Sequence, residues 1–202
     1  MIDLEKAKPS GVEALRLLYF RTARGEQVER AFDRMLQKNA EGTFTGRPLL
    51  HSRTGETRGI ALVDKAGGWK TTLLNRMLET HPGLAGGGAV AMPYLAVSVP
   101  NSATLKSLGL EILRASGYSD ISPRRDRWEI WVTVRHRLKM LGTVTLWMDE
   151  AHDLFHSASK REVNDILKTL KSLMQGPGAV IVLLSGTEEL AQITAQDDQI
   201  RR

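Results

Sequence analysis

Between residues 28 and 35 the apolar positions Val28, Ala31, Phe32 and Met35 recur at helical spacing, with Glu29, Arg30, Asp33 and Arg34 opposite them. Residues 1–50 therefore read as a polar, helical N-terminal segment. The stretch Asn39 to Thr57, rich in Gly, Thr and Arg, reads as a linker. From residue 59 the rhythm changes. Short, continuously apolar runs appear at Gly59 to Val63, Tyr94 to Val99, Val144 to Met148 and Ala179 to Leu184. Runs of this kind are strands covered on both faces. Between them lie helical patterns. The first spans Lys70 to Glu79, before a glycine-rich connection from His81 to Gly88, and the second starts near Ser102 with Leu105, Leu108, Ile112 and Leu113 on one face. A third runs from Asp126 to Leu141 with Trp128, Trp131, Val132 and Leu138. A fourth covers Lys160 to Met174 with Val163, Ile166, Leu167, Leu170, Leu173 and Met174. Strands alternating with helices imply right-handed βαβ units and a parallel sheet, hence an α/β fold in three layers, an αβα sandwich, over residues 51–202. The chain stops soon after the fourth strand, so a fifth strand and a C-terminal lid are expected to be absent.

Composition narrows the functional classes. Hydrophobic residues at 42% and charged residues at 25% give a globular chain with a sizeable core and exclude wholesale disorder. Lys and Arg outnumber Asp and Glu by 28 to 23, a balance of +5 that permits an anionic partner without requiring one. Aromatics at 5% argue against a stacking platform for single strands. The absence of cysteine excludes disulfides, thiolate chemistry and cysteine-based zinc sites. No apolar run approaches a membrane span, and Met1 to Lys6 does not open a signal peptide, so a cytoplasmic protein is expected.

Ligands of a parallel sheet gather at the carboxyl ends of its strands. The first such end reads Asp64-Lys65-Ala66-Gly67-Gly68-Trp69-Lys70-Thr71-Thr72 and opens a helix. A phosphate loop needs convergent backbone N–H groups, a lysine for the β and γ oxygens and a hydroxyl for magnesium. Lys70 and Thr71 supply the last two, and Gly67 and Gly68 let the backbone come close. The usual pattern would place glycine at positions 64 and 69, where this chain has Asp64 and Trp69. An acid does little for a polyanion, and a bulky residue before the lysine must avoid left-handed backbone angles. A glycine turn that binds nothing is the alternative.

The third strand runs straight into Asp149-Glu150-Ala151-His152. Two carboxylates at the tip of an apolar strand call for something cationic beyond it. In phosphate-loop enzymes the aspartate holds the magnesium shell and the glutamate deprotonates the attacking water, roles that Asp149 and Glu150 fit in order. The competing reading makes Asp149 the cap of the following turn. His152 and His156 stand one helical turn apart but have no third ligand of convincing spacing, so a surface pair is favoured over a metal site. Asp-Glu-Ala-His also resembles a helicase box, but a helicase needs a second similar domain. The fourth strand ends Leu184-Ser185-Gly186-Thr187, and Thr187 first, Ser185 second, are candidates to contact the γ-phosphate or the water. A plain cap by Thr187 is compatible with that role.

With these tips assigned, the chain resembles an AAA+ ATPase. More narrowly, it is similar to the TniB family of transposition helper ATPases, relatives of the TnsC and MuB regulators. The residues that carry the resemblance are Val97-Ser98-Val99-Pro100, Ala103 to Gly109, Leu113-Arg114-Ala115-Ser116-Gly117-Tyr118, Asp149 to His152 and Ser185-Gly186-Thr187-Glu188-Glu189-Leu190. The resemblance implies ATP and Mg2+ as cofactors and assembly of a homo-oligomer on double-stranded DNA. It also implies target selection and hand-over to a transposase. ATP would lie between subunits, with an arginine reaching across from the neighbour. Asp198-Gln199-Ile200-Arg201-Arg202 is similar to the segment that supplies it, which makes Arg202 a candidate. In ring-forming relatives the loops after the second strand line a pore, which favours Lys106, Arg124, Arg125 and Arg127 as DNA contacts. Arg135 to Lys139 reads instead as a solvated helix face. A nucleotide-independent adaptor and a different AAA+ switch, such as a replication-loader ATPase, are the competing functions.

Overall fold

A computed structural model describes residues 22–65, 67, 69–85, 91–118, 121, 122, 124–156 and 158–195. The chain opens with helix α1 (Ala23–Asp33), capped by the Thr22 hydroxyl, which accepts from the Gly25 N–H. Strands β1 (Leu36–Lys38) and β2 (Phe44–Pro48) follow as an antiparallel hairpin. The expected linker is therefore part hairpin. Its turn is closed by the Asn39 side chain, which accepts from the Thr43 N–H, and by Gly42 at φ +80°.

Four parallel strands form the main sheet: β3 (Gly59–Val63), β4 (Tyr94–Ser98), β5 (Thr145–Asp149) and β6 (Ile181–Gly186). Their order is β3-β6-β5-β4. Register pairs Val63 with Gly186 and Ser98 with Asp149, so the carboxyl ends lie side by side. The last strand runs two residues past the apolar stretch, carrying Ser185 and Gly186 inside the ladder. Helices α2 (Lys70–Thr80), α3 (Leu105–Ala115), α4 (Arg127–Leu141), α5 (Lys160–Leu173) and α6 (Glu188–Ala195) complete the layers, with a short 3₁₀ turn at Ala151–Leu154. No fifth strand of this sheet and no lid occur among the described residues.

Strand alternation separates two cores. Leu95, Val97, Leu146, Met148, Val182 and Leu184 face α3, α4 and α5. Trp147, Ile181 and Leu183 point the other way and pack with α2, α1 and the hairpin through Leu74, Met77, Phe32 and Leu36. His81, just past α2, pins this second layer: its Nε2 lies 2.8 Å from Asp33 Oδ1 and its ring meets Phe32 edge-on at 5.0 Å. Helix α3 begins later than its apolar pattern suggested, because Thr104 and Ser107 form a capping box. Helix α4 is capped by Asp126 in the same way and turns Ile130, Val134, Leu138 and Leu141 inward. At about 100° per residue Val132 falls on the far side from Val134, and Trp128 is well off that face. Both are exposed, Trp128 at 74%, so of the four apolar residues named for this helix only Trp131 and Leu138 are buried. No helix among the described residues is long and apolar enough to cross a membrane.

Candidate nucleotide-binding site

At the tip of β5, Asp149 receives three donors. Ser185 Oγ donates to Oδ1 at 2.6 Å, the Glu150 N–H to Oδ1 at 3.0 Å, and Thr71 Oγ1 to Oδ2 at 2.8 Å. The Thr71 bond joins the start of α2 to β5 across 78 positions of sequence. Strand β6 lies between β3 and β5, so Ser185 can reach Asp149 from the middle of the sheet. Ser185 is fully buried, and its oxygen also accepts from the Trp147 indole N–H at 2.7 Å. Trp147, Ser185 and Asp149 thus form a relay that aims one carboxylate oxygen at the Thr71 hydroxyl. The Ser185 hydroxyl is turned into the sheet, which leaves Thr187, partly exposed, as the polar side chain at the β6 tip. Asp149 caps nothing: the cap position of the 3₁₀ turn is Glu150, with no side-chain bond.

Glu150 has left-handed backbone angles, φ 53° and ψ 38°. For a residue with a Cβ this costs of order 1–3 kcal/mol, and such strain concentrates at functional sites. Its carboxylate is half exposed, and His152 Nδ1 stands 3.4 Å from Oε2 without hydrogen-bond geometry. Gly186 lets this imidazole in, since a Cβ there would lie 3.1 Å from His152 Nδ1. An open groove of about 350 Å³ is lined by Asn101, Ser102, His152, Asp153, Thr187 and Glu189. His156 lies on the same groove and faces Glu189 at 3.5 Å. No group of three or more His, Asp or Glu suited to a metal occurs among the described residues.

The phosphate loop closes on itself. Lys70 is 4% exposed, and its ammonium donates to the carbonyls of Asp64 and Lys65, both at 2.9 Å. Those bonds satisfy two of the three donors that a buried ammonium must place. Gly67 takes φ +74°, a value its missing Cβ permits at little cost. Trp69 does not strain the loop. It sits at φ −70° and ψ −3° as the cap residue of α2, and its indole N–H donates to Asp64 Oδ2 at 2.7 Å. Asp64 Oδ1 accepts from the Lys65 N–H at 2.8 Å, and Arg24 Nη1 donates to Oδ2 at 2.9 Å. The Lys65 N–H, then the Trp69 indole, then the Arg24 and Lys70 charges hold the Asp64 carboxyl below the usual carboxylate range.

These groups fit a magnesium nucleotide. Thr71 and Asp149 offer hard oxygen donors in mutual contact, and magnesium is commonly held by one or two carboxylates together with substrate phosphates. Lys70 stands at the first turn of α2, whose N-terminus favours anions. Thr72 is exposed one residue further on. Ala66, Gly68 and Arg202 lie outside the described residues. Among the DNA candidates, Arg124, Arg125 and Arg127 are exposed around the start of α4, with Arg127 Nη2 3.4 Å from Asp165, and Lys106 lies in the first turn of α3. Sequence reading missed Arg24 and Trp147, whose partners lie 40 and 38 positions away.

Residues 47–202 match the family model described as bacterial TniB protein. The structure of the Aeropyrum pernix ORC2 protein, solved as ADPNP-ADP complexes, is similar with a TM-score of 0.61 at 15% identity. The likeness covers 91% of this chain and 45% of that one, so the chain spans under half the length of that protein. It is a likeness of fold alone. No curated protein matches the chain.

Proposed function

Because the chain belongs to the TniB family, with a model matched over residues 47–202, we propose that it is an ATP-dependent regulator of DNA transposition. In this reading it binds duplex DNA as an oligomer, selects the target and engages a transposase. The observation that carries the nucleotide part is the contact of Thr71 Oγ1 with Asp149 Oδ2 at 2.8 Å, which joins the two strand-tip motifs into one oxygen-donor pair. Thr71 and Asp149 would hold magnesium, which when bound neutralises charge on the phosphate oxygens. Lys70 lets go of the loop carbonyls and pairs with phosphate. Glu150 accepts a proton from the water that attacks the terminal phosphorus, and Thr187 at the β6 tip hydrogen-bonds that water or a phosphate oxygen. The DNA part rests on Lys106, Arg124, Arg125 and Arg127, cations suited to sequence-independent phosphate contacts. The similar ORC2 structure was solved with nucleotides, which favours ATP over a nucleotide-free adaptor.

The test uses Glu150→Gln. The variant should bind ATP as the parent does, lose turnover, and accumulate on duplex DNA when ATP is present. Unchanged turnover removes Glu150 as the base, and DNA binding that ignores ATP in both proteins removes the proposed coupling.

A further inference from the structure

We infer that Arg24, Asp64 and Trp69 form a clasp on the phosphate loop, which makes Arg24 of α1 a positioning residue of the nucleotide site. The inference rests on the nucleotide-binding reading above and adds to it a part of the chain that precedes the family-matched segment.

The loop departs from its usual pattern at its first and sixth positions, and the two replacements are bonded to each other. The Trp69 indole N–H donates to Asp64 Oδ2 at 2.7 Å, which ties the end of β3 to the start of α2. Arg24 donates to the same oxygen at 2.9 Å, and its guanidinium carbon lies 5.6 Å from the Trp69 ring centroid. A guanidinium over an indole gains from the ring quadrupole as well as from the carboxylate. One cation therefore holds both replacements. Its helix is anchored separately, by the 2.8 Å contact of Asp33 with buried His81 beyond the other end of α2.

The physical consequence concerns charge. An uncompensated carboxylate at the entrance of a phosphate loop repels a polyanion. Here Asp64 is met by Arg24, by the indole and by the Lys65 N–H, and its oxygens are directed to those donors. Removing Arg24 leaves the acid and takes away the cation bonded to its carboxylate, with Lys70 as the charge that remains nearby. Removing the indole N–H unties the loop ends and leaves the charge pair in place.

Two measurements on the full chain test this. In the ligand-free protein, hydrogen–deuterium exchange over residues 64–69 should quicken in both Arg24→Ala and Trp69→Phe. Calorimetric titration with ATP and magnesium should show binding to Arg24→Ala weakened about fivefold, near the upper end for an exposed ion pair. Arg24→Ala combined with Asp64→Asn should return to within about twofold of the parent, a rescue that mere loss of helix packing would not give. Unchanged loop exchange in both variants overturns the clasp. Parental affinity in Arg24→Ala, or a defect that Asp64→Asn fails to rescue, overturns the positioning role. If the parent itself binds no ATP, the nucleotide reading falls, and the exchange result alone still decides the clasp.

Discussion

Replacing Ser185 with alanine removes the centre of the relay that orients Asp149. Two losses follow. The Ser185 Oγ bond to the Asp149 carboxylate, 2.6 Å long, is charge-assisted, and bonds of that kind contribute about 1.5–3 kcal/mol. The Trp147 indole N–H, in a residue only 2% exposed, loses its acceptor, and a buried donor left unpaired costs about 1–3 kcal/mol. Asp149 is partly exposed and can take water in exchange, so the net loss should be about 2–4 kcal/mol. For a chain of this size each kcal/mol lowers Tm by about 2–4 °C, which puts the drop at roughly 5–15 °C. Scanning calorimetry and urea titration read it directly. The sharper form is a double-mutant cycle with Trp147→Phe, which takes away the donor as well. In that background Ser185→Ala should cost about 1 kcal/mol less, because no indole N–H is stranded. A loss below about 0.5 kcal/mol, or strict additivity with Trp147→Phe, would refute the relay.

Charge reversal at Arg124 and Arg125 should weaken binding to all duplex sequences alike and lower the salt slope by roughly two, as expected for two phosphate contacts. Loss at a single target sequence would mean base readout instead. Glu162 accepts the Ser159 N–H and hydroxyl in the capping box of α5, and those bonds hold its carboxyl below the usual range. A depressed folded value stabilises the protein above the unfolded value and loses that contribution as pH falls through the folded one. Glu162→Gln should therefore flatten the acid limb of urea midpoint against pH, and an unchanged limb would place the acid sensitivity elsewhere.

The parallel sheet is written in the sequence because strands with both faces covered must be apolar throughout. Polar residues gather at the carboxyl ends, with Asp64 just past β3, Ser98 closing β4, Asp149 closing β5 and Ser185 near the end of β6, while buried Thr145 opens β5 at the other end. The carboxylates among them also made the site legible, since a charge at the end of a buried strand is costly without a partner. The hairpin at Leu36–Pro48 was hidden by its composition. β1 holds one buried side chain, Leu36, followed by polar Gln37 and Lys38, and β2 alternates weakly on a half-buried surface. The signal that could have found it is the Asn39 to Gly42 turn. The condition the sequence sets on Trp69, that it avoid left-handed backbone angles, is met, but the sequence does not show what its side chain does. Its indole N–H has an acceptor five residues back, in the other replaced position. Arg24 and Trp147 left no local trace, since their meaning depends on strand order and on how α1 packs against α2.

The proposed function requires that Lys70, Thr71, Asp149 and Glu150 form a single magnesium–nucleotide site at the strand tips. Calorimetric titration of the full chain with ATP, with and without Mg2+, tests it most directly when repeated on Lys70→Ala and Asp149→Asn. The parent should bind in a magnesium-dependent way, Lys70→Ala should lose binding with or without the metal, and Asp149→Asn should lose only the magnesium-dependent part. A parent that binds no ATP, or variants that both bind it as the parent does, would contradict the account.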